Sequence, residues 1–264
     1  MKNAIEKVVI IHFGRVGSTV LSELLNQTPE LFSAGEIYNN NVNEYIENKG
    51  KLWYEIYPNY IEFMENYYQE TQLQNPTFLE NKKYYIFEYK PYMQGCEIEY
   101  EKVIQDFNKV GIEKFVFLYR KNFLRRLVSS MISFETGVWH IQELSKKIHQ
   151  VYINVNNIEN TYIRDDHNNK NLCEAIRLYD NYVNEIKKYI QLNKGICLSF
   201  EYDIAENPCK GYQKICDFLG VQSIDNPVIS YKRQNPYSLK EIIVNFEEVK
   251  NYLKDNDFLH LVQE

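Results

Sequence analysis

Val8-Val9-Ile10-Ile11-His12-Phe13-Gly14-Arg15-Val16-Gly17-Ser18-Thr19-Val20-Leu21-Ser22-Glu23-Leu24-Leu25 changes its hydrophobic pattern in the middle. From Val8 to Phe13 it is β-branched and almost continuously apolar, as expected of a central strand buried on both faces. Gly14 to Thr19 breaks that pattern. Val20, Leu21, Leu24 and Leu25 then recur at helical spacing, and Thr28-Pro29 ends the helix. Strand, glycine turn and helix in that order form the opening of a βαβ unit.

Working outward, Tyr84–Tyr89, Phe115–Tyr119 and Ile196–Phe200 read as further strands of the same sheet. Helical patterns separate them, at roughly 98–110, 121–134, 171–192 and 205–219, and Phe218-Leu219-Gly220 closes the last with a glycine C-cap. A C-terminal helix starts near Ser238, whose hydroxyl suits an N-cap. The expected fold is therefore α/β: one domain over 1–264, with a mainly parallel central sheet and helices on both faces. Two less regular stretches, about 38–82 and 134–170, are expected over the strand ends, where such insertions shape an acceptor site.

Composition narrows the function. The 264 residues carry 30 Lys+Arg against 36 Asp+Glu, a net charge of −6, which argues against broad attachment to nucleic acid or anionic membrane. The 23 Tyr and 14 Phe supply ample surface for a core and exclude intrinsic disorder. Five cysteines without a CxxC pair, and five scattered histidines, speak for reduced thiols and against a zinc site. No apolar run is long enough for a signal peptide or a membrane span, so a cytoplasmic location is expected.

The glycine turn is the first place for phosphate chemistry. Gly17 allows close backbone approach, and the N–H groups of Val16 to Thr19, with the helix dipole behind them, favour an anion. Ser18 and Thr19 add hydroxyls, and Arg15 adds a planar donor fork. The turn has no GxxxxGK[ST], so the lysine that spans β- and γ-phosphates is missing, and it does not fit GxGxxG either. Both omissions weigh against nucleoside-triphosphate hydrolysis and dinucleotide binding. Arginine is scarce among the basic residues, yet Arg120, Arg125 and Arg126 follow directly on the strand ending at Tyr119. Arg120 at that strand end stands at the carboxyl edge of the sheet. Arg125 and Arg126 are expected to be solvated or paired with acids. A third basic patch, Lys232-Arg233, precedes the C-terminal helix. Three separated segments of this kind suggest one ligand with several phosphate-like groups.

These residues together resemble the sulfotransferases that use 3′-phosphoadenylyl sulfate (PAPS), and the resemblance covers most of the chain. Phe13-Gly14-Arg15-Val16-Gly17-Ser18-Thr19 is similar to the family's 5′-phosphosulfate loop in its RxGST form, typical of bacterial and carbohydrate-type members. Leu118-Tyr119-Arg120 with Ser129-Ser130 is similar to its 3′-phosphate motif, and Lys232-Arg233-Gln234-Asn235-Pro236 to its C-terminal basic loop. Phe200-Glu201-Tyr202-Asp203 resembles the Tyr-Glu-Asp-Leu segment, with either Phe200 or Tyr202 as the adenine-side aromatic. Arg120 and Ser129 are nine positions apart where eight is more frequent, which leaves both Ser129 and Ser130 as candidates.

The resemblance implies a P-loop-NTPase-like fold and transfer of a sulfuryl group from PAPS to the hydroxyl of a carbohydrate, lipid or small molecule. The products would be the sulfate ester and adenosine 3′,5′-bisphosphate (PAP), and no metal would be needed. Arg15, Gly17, Ser18 and Thr19 would hold the 5′-phosphosulfate. Arg120, Ser129, Lys232 and Arg233 would hold the 3′-phosphate. Glu36 is the first candidate for the base and His140, in Trp139-His140, the second, while Lys90 is a candidate helper of the leaving group and His12 an orienter of the loop. The rival readings are a P-loop-like small-molecule kinase, with Glu88 the loose candidate for holding Mg²⁺, and a non-catalytic nucleotide-binding module.

Overall fold

In the computed structural model of the chain the described residues are 5–37, 60–74, 79–91, 99–141, 148–159, 169–232 and 236–263. Five parallel strands form the sheet: β1 (Glu6–His12), β2 (Leu31–Ser33), β3 (Tyr84–Tyr89), β4 (Lys114–Tyr119) and β5 (Ile196–Ser199). Their order is β2-β3-β1-β4-β5, with β1 in the centre. The helices are α1 (Ser18–Asn26), α2 (Tyr60–Gln74), α3 (Tyr100–Lys109), α4 (Phe123–Thr136), α5 (Leu172–Leu192), α6 (Pro208–Leu219), α7 (Leu239–Ile242) and α8 (Phe246–Asp255).

The apolar run of β1 explains the layering. Alternate side chains leave opposite faces of a strand, so a strand with helices on both sides must be apolar at every position. Val8 and Ile10 enter a core with Leu21, Leu24 and Leu25 of α1 and Tyr212 and Ile215 of α6. Val9 and Ile11 enter the opposite core, with Phe107 of α3, Leu124 and Leu127 of α4 and Ile176 of α5. Phe115 and Phe117 of β4 are fully buried in that second core. Truncating either to Ala would cost about 3–5 kcal/mol, through lost burial and the cavity left behind.

Local chemistry sets the helix ends. The Asn122 side chain caps α4 by accepting from the Arg125 amide, and Gly137 ends it at φ +67. A capping box between Asn171 and Glu174 opens α5. Asn207 and Pro208 open α6, and Gly220 closes it as expected. Three details differ from the sequence reading. The short edge strand β2 and helix α2, inside the 38–82 stretch, are additional. Phe200 lies outside β5, because Phe200–Ile204 coils into a π-helical turn whose Asp203 carboxylate accepts the Ser199 amide. Ser238 caps a helix as expected, but α7 lasts a single turn before α8 resumes. No described helix is long and apolar enough to cross a membrane, and the four described cysteines are free.

Candidate functional site

The strand order fixes where a ligand fits. Chain leaving β1 runs past β3 to β2, while chain leaving β4 runs the other way to β5. Between the carboxyl ends of β1 and β4 the connections diverge and a crevice opens. A cavity of about 1200 Å³ lies there, lined by the Gly14–Thr19 turn, Glu36, Lys90, Arg120, Ser129, Ser130, His140 and Lys232, among others.

The β1–α1 turn is built from unusual backbone. Gly14, Arg15 and Gly17 all have positive φ, at 78, 59 and 80. Turns that pass through left-handed residues can aim consecutive backbone N–H groups to one side, the geometry of an anion-binding concavity. Gly17 is the N-cap of α1, and no side chain caps that helix. A Cβ at Gly17 would come within 2.7 Å of the Ile204 side chain, so both backbone angle and space require glycine there. The Arg15 guanidinium reaches across the crevice, Nε donating to Ser129 Oγ (2.9 Å) and Nη1 to the Trp139 carbonyl (2.9 Å).

Arg120 meets this turn from β4. Its Nη1 donates to the Arg15 carbonyl at 3.4 Å, and its guanidinium lies 4.4 Å from the centre of the Phe200 ring. The Glu201 carboxylate is 3.6 Å from Arg120 Nε and also accepts the amides of Lys121 (2.9 Å) and Asn122 (3.1 Å). Buried Tyr179 clamps the Arg120 backbone: its hydroxyl accepts from the amide and donates to the carbonyl. Burial pushes that phenol up to about 12, so it remains a donor at any physiological pH. Arg120 therefore arrives with its backbone pinned and its charge partly balanced.

Arg126 departs from the expectation of a solvated side chain. Arg126 is fully buried, donates through Nη2 to the Phe13 carbonyl (2.7 Å) and packs 5.1 Å from the Tyr179 ring centre. Arg125 donates to the Tyr237 carbonyl (2.6 Å). Both donate to backbone carbonyls, groups that must be paired when buried.

On the other side of the crevice Glu36 forms an ion pair with Lys90. Burial works to raise the Glu36 carboxyl, but Lys90, helped by His12 and His140, outweighs it and holds the group below the usual carboxylate value. His140 lies within reach of the β1–α1 turn, with Nδ1 3.2 Å from Thr19 Oγ1. Burial, aided by the Arg15 charge, lowers its pKa, so its ring is neutral near pH 7. The Lys232 amide donates to the Ile141 carbonyl (2.9 Å), joining the two rim segments. Arg233 lies outside the described residues. Residues 148–159 of the second insertion pack instead against the C-terminal segment, through the Val151–Ile243 bridge.

One group was visible in the sequence only as separate residues. His12 and Glu88 meet at 2.8 Å, both buried, at the ends of β1 and β3. The signal was the interruption of two apolar alternations, Val8-Ile10-His12 and Tyr84-Ile86-Glu88, on the same face of the sheet. His12, Glu36 and Glu88 bring ligand atoms within 4.8 Å of one another, the spacing of a metal site. The Lys90 ammonium on Glu36 and the imidazole N–H on Glu88 compete for those same oxygens. No protein-family model matches this chain, and no curated protein matches it in sequence.

Proposed function

We propose that the protein is a sulfotransferase that moves a sulfuryl group from PAPS to an acceptor hydroxyl. The observation that carries this reading is the meeting, in one cavity, of a helix N-terminus without a side-chain cap and two arginines from neighbouring strand ends, Arg15 and Arg120. A ligand charged at both ends of an adenosine matches that pattern: the turn takes the 5′-phosphosulfate, and Arg120 with Ser129 and Lys232 takes the 3′-phosphate.

In the reaction the acceptor oxygen forms a bond to sulfur as the bond from sulfur to the bridging phosphate oxygen breaks. Negative charge grows on the departing bisphosphate, where the α1 amides, Ser18, Thr19 and Arg15 are aimed. The acceptor proton passes to a base. Glu36 is ionised at neutral pH and His140 is neutral, so both are in the accepting state. The two differ in pH dependence. Glu36 loses its proton-accepting form only below the ordinary glutamate value of about 4.3, whereas His140 loses it at a higher pH, somewhat below about 6.5. An acid limb that persists in His140→Gln assigns the base to Glu36, and then Glu36→Gln lowers turnover by ~10²–10⁴-fold with bisphosphate binding intact. An acid limb that vanishes in His140→Gln assigns it to His140.

The decisive test is binding. Adenosine 3′,5′-bisphosphate should bind far more tightly than 5′-AMP, and equal thermal stabilisation by the two would remove the 3′-phosphate pocket. Acceptor classes incubated with PAPS should then gain about 80 Da by mass spectrometry, the mass of the transferred SO₃ group. Binding without such a gain would leave a nucleotide-binding module. A magnesium-dependent kinase is the second reading, favoured by the His12, Glu36 and Glu88 spacing. Turnover that disappears with EDTA and returns with Mg²⁺ would establish it in place of sulfuryl transfer.

A further inference from the structure

We infer that the buried His12–Glu88 pair is a positioning device that holds the anion-binding turn in its open-handed shape. The Gly14 amide donates to His12 Nδ1 at 3.0 Å. A nitrogen that accepts carries no hydrogen, so the ring hydrogen is on Nε2, where it is donated to Glu88 Oε2 at 2.8 Å. The chain of donors thus runs in one direction, from the first residue of the turn through β1 to β3. The Glu88 amide in turn donates to the Gly35 carbonyl (2.9 Å), beside Glu36, so β3 spans both sides of the crevice.

Three features separate this pair from ordinary core packing. Both side chains are almost inaccessible, His12 at 0% and Glu88 at 3%, and burying a carboxylate is unfavourable unless it is well paired. The equivalent preceding positions, Val8 and Ile10 on β1 and Tyr84 and Ile86 on β3, are apolar. The bond from Gly14 falls at the point where φ turns positive, at Gly14 and Arg15. With its amide held by the imidazole, Gly14 directs the following residues so that Arg15 crosses to Ser129 and the later amides face the cavity. This inference rests on the anion-binding reading of the turn, but not on the identity of the anion.

Labelling the wild-type protein with [¹⁵N]histidine tests the arrangement directly: Nδ1 of His12 should be the nitrogen without hydrogen, and a protonated Nδ1 overturns the inference. Variants then separate the two bonds. His12→Asn places an amide oxygen where Nδ1 was and keeps the Gly14 contact, whereas His12→Gln reaches toward Glu88 and loses it. With [¹⁵N]glycine, Gly14 exchange should stay slow in His12→Asn and quicken about tenfold in His12→Gln, with a similar tenfold loss of affinity for adenosine 3′,5′-bisphosphate. Equal exchange in the two variants overturns the inference. Should neither variant fold, Glu88→Gln keeps the shape and removes only the charge that strengthens the Nε2 bond; Gly14 exchange should rise there, and unchanged exchange again overturns the inference. If wild-type protein fails to bind the bisphosphate while the Nδ1 and exchange results hold, the sulfuryl-donor reading falls and the positioning role stands.

Discussion

Two turns face each other across the crevice, and they are built on opposite plans. Both follow parallel strands and both open a helix. The β1–α1 turn has glycine at the N-cap and no side chain on its first amides. The β4–α4 turn is already closed, with Asn122 capping the helix and Glu201 accepting the amides of Lys121 and Asn122. A helix N-terminus attracts anions wherever it is left open. On the proposed reading the contrast divides the work: the first turn would bind through main chain, whereas the second has filled its main-chain site with its own carboxylate and would contribute the Arg120 guanidinium. One turn needs a missing side chain, the other an added charge.

The largest effect should come from closing the first turn. Gly17→Val puts a branched side chain where φ is +80 and Ile204 is already at contact. Several amides should move together, lowering bisphosphate affinity by roughly 10³-fold in calorimetric titration. Retained affinity would mean that side chains, not backbone, hold the anion. Next in size, Arg120→Met should weaken the bisphosphate by roughly 10²-fold while leaving 5′-AMP unchanged, erasing the selectivity between them. A parallel loss for both ligands would show that Arg120 supports the turn instead of reading the second phosphate. The smallest effect should follow Glu201→Gln. Each carboxylate oxygen accepts one of the two amides, so glutamine keeps an oxygen on only one of them and also removes the charge beside Arg120, giving about a three- to tenfold change in bisphosphate affinity. If Glu201→Ala made the β4–α4 turn bind sulfate, the difference between the turns would reduce to that one carboxylate.

The strand, turn and helix at 8–25 were legible because their signals are local: a continuous apolar run, positive-φ glycine, and leucines at helical spacing. Arg120 was legible for a related reason, since a charge directly after an apolar strand must emerge at its carboxyl end. Arg126 was misread because its burial depends on a carbonyl 113 residues earlier in the chain. The Glu36–Lys90 pair was visible only as two candidates with unrelated roles. Glu201 read as part of a motif, but its hold on amides 79 and 80 residues away has no trace in local spacing.

Hydrophobic period and turn chemistry act over a few residues, and by themselves they determined the α/β class, the parallel sheet and the glycine turn after its first strand. Strand order is a different kind of fact. It depends on which faces bury best against one another once the helices are folded, a competition among contacts far apart in sequence. Only that competition seated β1 between β3 and β4, and so brought Gly17 and Arg120 to one crevice, His12 to Glu88 across 76 residues, and Lys90 to Glu36.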